Sequence, residues 1–213
     1  MSGAVYAGEE KVYDIKEGSI TISADSADGR RHKVKQGDRA EETVEGTLVI
    51  FGNKVSSTNT ITVVAGEDLK ADVVIRNVNI DVSGIDNTAA FKTEGDGDVD
   101  IELDGENMLK SGSNCAGIQK GNSGVLTIKD ENGEKGTVTA TGGKNGAGIG
   151  GGDGVSGNHI TITGGTVTAT GGQKGAGIGG GDGVSGNHIT IAGGTVTAIG
   201  GNFRGAGIGG GKN

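Results

Sequence analysis

The sequence of 213 residues contains no proline and no tryptophan, one cysteine, two tyrosines and three phenylalanines. Collagen is excluded, because its triple helix needs abundant proline together with glycine at every third position. With Cys115 as the single cysteine, the chain can form neither an internal disulfide nor a cysteine-based metal site. The scarcity of aromatic residues leaves small aliphatic side chains to form the core.

Positive charge is also scarce. Lysine and arginine total 19 against 27 aspartates and glutamates, which gives a formal net charge of −8. This balance argues against a nucleic-acid-binding groove, which needs clustered Lys and Arg. Arg30, Arg31, His32, Lys33 and Lys35 form one basic run, which we interpret as a solvated turn. No apolar stretch is long enough to span a membrane, so we expect no membrane-spanning segment.

The N-terminal region shows no full signal peptide, but it contains a small-residue cleavage pattern. In the stretch AVYAGEE, Val5 and Ala7 occupy the small-residue positions of a cleavage site. We therefore expect residues 1–18 to form a leader or cap segment, and the mature chain to be secreted and extracellular or held at a cell surface.

Glycine is abundant, at 47 residues, and it recurs within a repeated unit. The tetrapeptide TVTA begins at Thr137, Thr166 and Thr195, which gives a period of 29 residues. The most regular repeats occupy 124–213. Weaker copies extend upstream to residue 19, so that 19–213 is predicted to be one repeat domain of about seven units.

Each unit contains three short segments in which apolar residues alternate with polar residues or glycine. In HITIT, Ile160 and Ile162 share one face while Thr161 and Thr163 share the other. Period two predicts strands with one buried face, and the Gly-Gly pairs between them are turn formers. The sequence therefore predicts an all-β fold, a right-handed single-stranded parallel β-helix of about seven rungs with three short strands per rung. A sandwich of antiparallel strands is the alternative, but it does not explain the fixed period.

Equivalent residues of successive repeats are then expected to lie above one another at steps of about 4.8 Å. This predicts a single file of Ile149, Ile178 and Ile208 inside the solenoid. It also predicts a flat wall of outward-facing glycines, such as Gly148 and Gly177, which another layer can approach closely. We expect self-association through this wall or through unpaired strand edges at the C-terminal end.

The stretch TITGGTVTATGG followed by GAGIGGG resembles the glycine-rich right-handed β-helix repeats of surface proteins in Gram-positive anaerobes. The resemblance is good from Leu126 to Gly211 and weaker from Val12 to Gly124. Those repeats are often described as carbohydrate-binding domains, and they are relatives of the pectate-lyase-like fold. The resemblance thus implies a carbohydrate-binding surface module. It transfers no catalytic residue, because the same solenoid carries lyases, adhesins and inert stalks and no matching catalytic motif is present.

Stacking also predicts two sets of polar columns, which are the candidate ligand-binding surfaces. The asparagine column precedes each AGI strand, and the threonine grid covers an outer strand face. They comprise Asn87, Asn114 and Asn145, and Thr137, Thr139, Thr166, Thr168, Thr195 and Thr197. A glycan lying along the rod would hydrogen-bond to such ladders, although stacked asparagines also cap turns and outward threonine is common in strands. The threonine grid resembles the faces of ice-binding solenoids as well.

Two acidic pairs predict calcium sites, and calcium is the one cofactor that the sequence suggests. Asp153 and Asp182 recur in the loop GDGVSGNH and are expected to stack one rung apart, where a cation would relieve their repulsion. Asp98 and Asp100 lie in EGDGDVDIELDGE and are expected to share an outer face. Asx-turns and an ordinary solvated face are the respective alternatives.

The sequence as a whole favours a non-catalytic extracellular surface or adhesion module whose partner is a polysaccharide or a cell-surface glycan. A calcium-dependent polysaccharide lyase is the competing hypothesis, and it would need a basic residue beside an acidic calcium cluster. Ice binding and a purely structural stalk are further alternatives.

Overall fold

The computed structural model describes residues 10–133 and 135–212. Within these residues the chain forms 21 short strands, one 3-10 turn at Ile15–Glu17 and no α-helix. The strands, in chain order, are β1 (Glu10–Asp14), β2 (Ile20–Ala24), β3 (Arg31–Gln36), β4 (Glu42–Glu45), β5 (Thr47–Phe51), β6 (Ile61–Ala65), β7 (Lys70–Arg76), β8 (Asn79–Asp81), β9 (Phe91–Gly95), β10 (Asp98–Asp104), β11 (Glu106–Lys110), β12 (Ile118–Lys120), β13 (Leu126–Lys129), β14 (Thr137–Thr141), β15 (Ile149–Gly150), β16 (Ile160–Ile162), β17 (Thr166–Thr170), β18 (Ile178–Gly179), β19 (Ile189–Ile191), β20 (Thr195–Ile199) and β21 (Ile208–Gly209).

The strands form three sheets. Sheet 1 has the order β1-β5-β7-β10-β13-β16-β19, sheet 2 has the order β8-β11-β14-β17-β20, and sheet 3 has the order β4-β3-β2-β6-β9-β12-β15-β18-β21. From β7 onward, each turn of the chain adds one parallel strand to each sheet in succession. The chain is a right-handed parallel β-helix of about six turns, close to the seven rungs predicted, and the prediction of the fold class is confirmed.

A single file of large apolar residues runs through the interior along sheet 3. Ile149 pairs with Ile178, and Ile178 pairs with Ile208, as the 29-residue period predicts. The file continues toward the N-terminus through Ile118, Phe91, Ile61 and Ile20. Ile208 at the end of the file is 48% exposed, and the other members are buried. Burial of each of those side chains contributes about 1.5–3 kcal/mol, so that stacking of the rungs supplies the core that no single rung has.

The N-terminal end of the core is covered by an antiparallel hairpin. β2 pairs antiparallel with β3, and β3 pairs antiparallel with β4. In β3, His32 and Val34 are buried while Lys33 and Lys35 are exposed. The interpretation of this basic run as a solvated turn is therefore wrong, because alternate residues of the run point into the core.

The described part of the predicted leader or cap segment 1–18 includes β1, which pairs in parallel with β5. Residues Glu10–Asp14 therefore already belong to sheet 1 of the β-helix. Residues 1–9, which hold Val5 and Ala7 of the cleavage pattern, lie outside the described residues.

The glycines of the AGI strands face the protein's own backbone. A Cβ at Gly148 would stand 2.5 Å from the backbone nitrogen of Thr170 and 2.7 Å from the carbonyl oxygen of Gly177. A Cβ at Gly177 would stand 2.6 Å from both the nitrogen of Ile199 and the oxygen of Gly207. The layer that approaches these glycines closely is therefore the protein's own chain, since sheet 3 packs there against the sheet 2 strand of the next rung, and self-association at this face stays a prediction.

Candidate functional site

The threonine grid lies on the outer face of sheet 2, in register across three strands. Paired residues of β14, β17 and β20 form two threonine columns. One column consists of Thr137, Thr166 and Thr195, and the other consists of Thr139, Thr168 and Thr197. The intervening Val167 and Ala169 are fully buried. The hydroxyls therefore form a flat lattice with steps of about 4.8 Å between rungs and about 7 Å along each strand. A third column reads Thr141, Thr170 and Ile199.

Toward the N-terminal end, the threonine lattice meets a depression of about 170 Å³. The depression is lined by Lys54, Asn79, Glu106, Asn107, Met108, Thr137 and Thr139. Met108 is 53% exposed, although it is apolar. No sequence pattern indicates this depression, because its lining residues come from four different rungs.

The asparagine column forms a hydrogen-bonded ladder at the corner between sheets 2 and 3. Nδ2 of Asn114 donates to Oδ1 of Asn87 at 2.9 Å, and Nδ2 of Asn145 donates to Oδ1 of Asn114 at 2.8 Å. Asn87 and Asn114 have φ of 57° and 70°, in the left-handed region that asparagine tolerates. The ladder thus stabilises a tight corner, and its role in ligand binding stays a prediction.

Asp153 and Asp182 have separate partners at the next corner. Oδ2 of Asp153 accepts a hydrogen bond from Nδ2 of Asn145 at 3.1 Å, whereas Oδ2 of Asp182 accepts one from Nζ of Lys174 at 2.6 Å. This bond raises the pKa of Lys174, and the charge of Asp153 acts in the same direction. The ammonium of Lys174 therefore provides the positive charge that calcium was predicted to provide. Calcium at this corner stays a prediction.

Asp98 and Asp100 lie on the outer face of β10, as predicted, but in different environments. Asp98 is exposed, and its Oδ1 accepts a hydrogen bond from the backbone nitrogen of Val125 at 2.8 Å. Asp100 is only 8% exposed, and its Oδ2 lies 2.7 Å from Nζ of Lys70 and 3.2 Å from Nζ of Lys129. Within residues 10–133 and 135–212, no group of three or more His, Cys, Asp or Glu side chains is placed to hold a metal ion.

The ion pairs around Asp100 also affect whether Lys129 can act as a general base. Nζ of Lys129 lies 3.1 Å from Oδ2 of Asp72 as well as 3.2 Å from Asp100. Burial lowers the pKa of Lys129, but attraction to Asp72 and Asp100 outweighs it and raises the pKa above the usual range. A general base must be neutral before it takes a proton, so Lys129 is unsuited to that role.

The most regular repeats match a known pattern. A family model described as a beta helix repeat matches residues 132–153, 160–182 and 189–212. These segments include β14–β21, which stack in parallel register. The chain is a parallel β-helix repeat protein.

Neither a curated protein nor a solved structure matches the β-helix repeat protein. In the part of the chain that the structure describes, no helix is long and apolar enough to cross a membrane. Because parallel β-helices occur in enzymes and in non-enzymes, the fold alone selects no activity.

This β-helix repeat protein also contains one buried amine that was not predicted from the sequence. Lys120 is 3% exposed, and its Nζ donates to the carbonyl oxygen of Asn122 at 2.5 Å. Burial lowers its pKa to about 8. The alternation from Ile118 to Lys120 in β12 was the available signal, because it places both side chains on the inward face.

Proposed function

We propose that this β-helix repeat protein is a non-catalytic extracellular surface module that binds carbohydrate along the outer face of sheet 2. The observation that carries the proposal is the threonine lattice, in which Thr166 and Thr168 have identical residues directly above and below them. A polysaccharide is itself a periodic array of hydroxyl groups. A flat lattice of hydroxyls at fixed steps can hydrogen-bond to several successive sugars, and the weak contacts add along the polymer.

The test removes hydroxyl groups without changing side-chain shape. Thr139 and Thr168 are replaced together by valine, which keeps high strand propensity. Thr161→Val on the outer face of sheet 1 is the matched control. Migration in gels that contain neutral or acidic polysaccharides, with and without a calcium chelator, measures binding.

We expect the double variant to lose retardation that wild type and the Thr161 variant both show. Equal retardation of all three proteins, or none of wild type by any polysaccharide, overturns the proposal and leaves a structural stalk. A loss of retardation in chelator would support calcium in the complex.

Ice binding is a second candidate, because the same lattice favours it. It predicts faceted ice crystals and freezing hysteresis with wild type, and their loss in the Thr139 and Thr168 double variant. Unaltered ice growth at high protein concentration removes this candidate.

The lyase alternative is disfavoured by the ion pairs of Lys70 and Lys129, which hold both amines against carboxylates. It predicts a calcium-dependent rise in unsaturated-product absorbance on acidic polysaccharides, and we expect none.

A further inference from the structure

We propose that the depression beside Met108 is a subsite for one uncharged sugar residue, so that the ligand class of the sheet 2 face is a neutral polysaccharide. This inference rests on the proposed carbohydrate binding and adds the ligand class and the residue that selects it.

The depression continues the threonine lattice. Met108 pairs with Thr139 on one side and with Asn79 on the other. Asn79, Met108, Thr139, Thr168 and Thr197 therefore form one column along the rod. A glycan aligned with the threonines of this column would place a sugar over Met108.

The charges on this part of the face are paired with one another. Nζ of Lys54 lies 2.6 Å from Oε2 of Glu106, and Nζ of Lys110 lies 3.4 Å from Oδ2 of Asp81. A uronate or sulfated sugar would have to displace one of these carboxylates from its lysine. The net charge of −8 adds a repulsive field for any polyanion. Charge complementarity therefore favours an uncharged ligand.

Met108 supplies the apolar contact that sugar sites commonly obtain from aromatic rings. Phe91 is fully buried and Tyr13 is 5% exposed, so neither offers a ring to a ligand on sheet 2. The thioether of Met108 is 53% exposed and flexible enough to follow the C–H face of a pyranose. Polar groups of Asn79 and Thr137 surround it and can bind the sugar hydroxyls.

The size of the depression limits the occupant. Its volume of about 170 Å³ is below the range of about 300–1,000 Å³ that is typical of drug-sized ligand pockets. The space suits one ring of a chain that continues over the flat lattice.

Isothermal titration calorimetry with cellohexaose, chitohexaose and hexagalacturonate tests the subsite. We expect wild type to bind at least one neutral hexamer more tightly than hexagalacturonate. We expect Met108→Ala to weaken that binding about tenfold, which corresponds to about 1.4 kcal/mol. Ile85→Ala, which truncates a side chain that is 46% exposed in the loop between β8 and β9, is expected to bind like wild type.

A second variant tests the charge argument. Glu106→Gln leaves Lys54 without its carboxylate partner and is expected to raise the affinity for hexagalacturonate, with an effect that added salt weakens. Circular dichroism and the Tm establish that each variant is folded.

The outcomes separate this inference from the proposed function. If Thr168→Val weakens binding while Met108→Ala does not, or if wild type prefers hexagalacturonate, the lattice binds sugars and the neutral subsite is wrong. If no hexamer binds wild type and no polysaccharide retards it, both proposals fail.

Discussion

Gly148 and the backbone of Thr170 approach each other so closely that no side chain fits between them. A Cβ at Gly148 would stand 2.5 Å from the nitrogen of Thr170, a distance that real Cβ atoms essentially never show. The three atoms nearest this Cβ, which include the oxygen of Gly177, all belong to the backbone, so they cannot rotate away as a side chain would.

Gly148→Ala is therefore expected to lower the free energy of unfolding by about 1–3 kcal/mol, the usual cost of overpacking. Gly84→Ala is the matched control, because a Cβ at Gly84 meets nothing within 4 Å. Urea denaturation followed by circular dichroism measures both. A Gly148 variant as stable as the Gly84 variant would contradict the close approach.

The isoleucine file gives a second prediction. Ile149 is 0% exposed within the file, whereas Ile199 is 49% exposed on sheet 2. We expect Ile149→Ala to lose about 2–5 kcal/mol of stability, because it leaves a cavity. Ile199→Ala leaves no cavity and is expected to change stability little. Equal urea midpoints for the two variants would mean that Ile149 is not stacked inside the coil.

The buried amine of Lys120 makes the free energy of unfolding depend on pH in the alkaline range. Its folded pKa of about 8 lies below the unfolded value of about 10.4, so the folded state binds fewer protons between these values. Stability is therefore expected to rise as the pH increases from about 8 to about 10.4. Lys120→Met is expected to remove this rise and to stabilise the protein at pH 7 by up to about 3 kcal/mol.

The exposed Lys144 provides the control for Lys120. Lys144→Met is expected to keep the wild-type slope in urea denaturation between pH 7 and pH 10.5. A wild-type stability that is flat over this range would contradict the burial of a neutral amine at Lys120.

His32 couples the N-terminal hairpin to β7, and it predicts sensitivity to acid. Its Nε2 accepts a hydrogen bond from the backbone nitrogen of Asp72 at 3.2 Å, which requires the neutral ring. Burial lowers its pKa, and the charges of Asp72 and Asp28 only partly offset this. The contribution of His32 to the free energy of unfolding is complete above its unfolded-state pKa of about 6.5. It is lost as the pH falls below that value, by at most about 1.4 kcal/mol per pH unit.

His32→Gln is expected to flatten the stability profile between pH 6.5 and pH 5, whereas His159→Gln, at an exposed corner, is expected to follow wild type. Thermal unfolding at each pH measures the slopes. Parallel slopes for wild type and the His32 variant would rule out this coupling.

Lys174 gives a prediction about calcium. Lys174→Gln removes the ammonium that lies against Asp182 and near Asp153. We expect a small fall in Tm, and a larger rise in Tm on calcium addition for this variant than for wild type, because the two carboxylates then lack their cation. Lys144→Gln serves as the control, and an identical calcium response of all three proteins would show that Lys174 does not occupy the cation position.

The repeat period predicted which residues stack and that the rung strands run in parallel, but it did not predict the antiparallel pairing of β2, β3 and β4. Thr166 over Thr137, and Ile178 over Ile149, follow from identical sequences one period apart, and both are confirmed. β3 has the same two-residue alternation as a rung strand, yet it pairs antiparallel with β2. Alternation marks a buried face in either direction, so the hairpin could not be distinguished from a weak repeat.

Asp100 and Gly148 show a second limit of prediction from the sequence. Alternation placed Asp100 on an outer face, but its burial depends on Lys70 and Lys129, which come from the preceding and following rungs. Gly148 was placed on an outward face for the same reason, although the neighbouring strand of sheet 2 lies against it. In both cases sequence spacing fixed the direction of the residue and not what packs over it.

The sequence by itself determined the all-β class, the parallel coil, its threonine lattice and its aliphatic interior, because a fixed period and an alternation of two are local properties of the chain. Only the tertiary structure decided the hairpin cap, the lysines that neutralise Asp100 and Asp182, and the depression at Met108. These features depend on how residues from different rungs and corners meet in space, where close packing and charge pairing, rather than periodicity, decide the contacts.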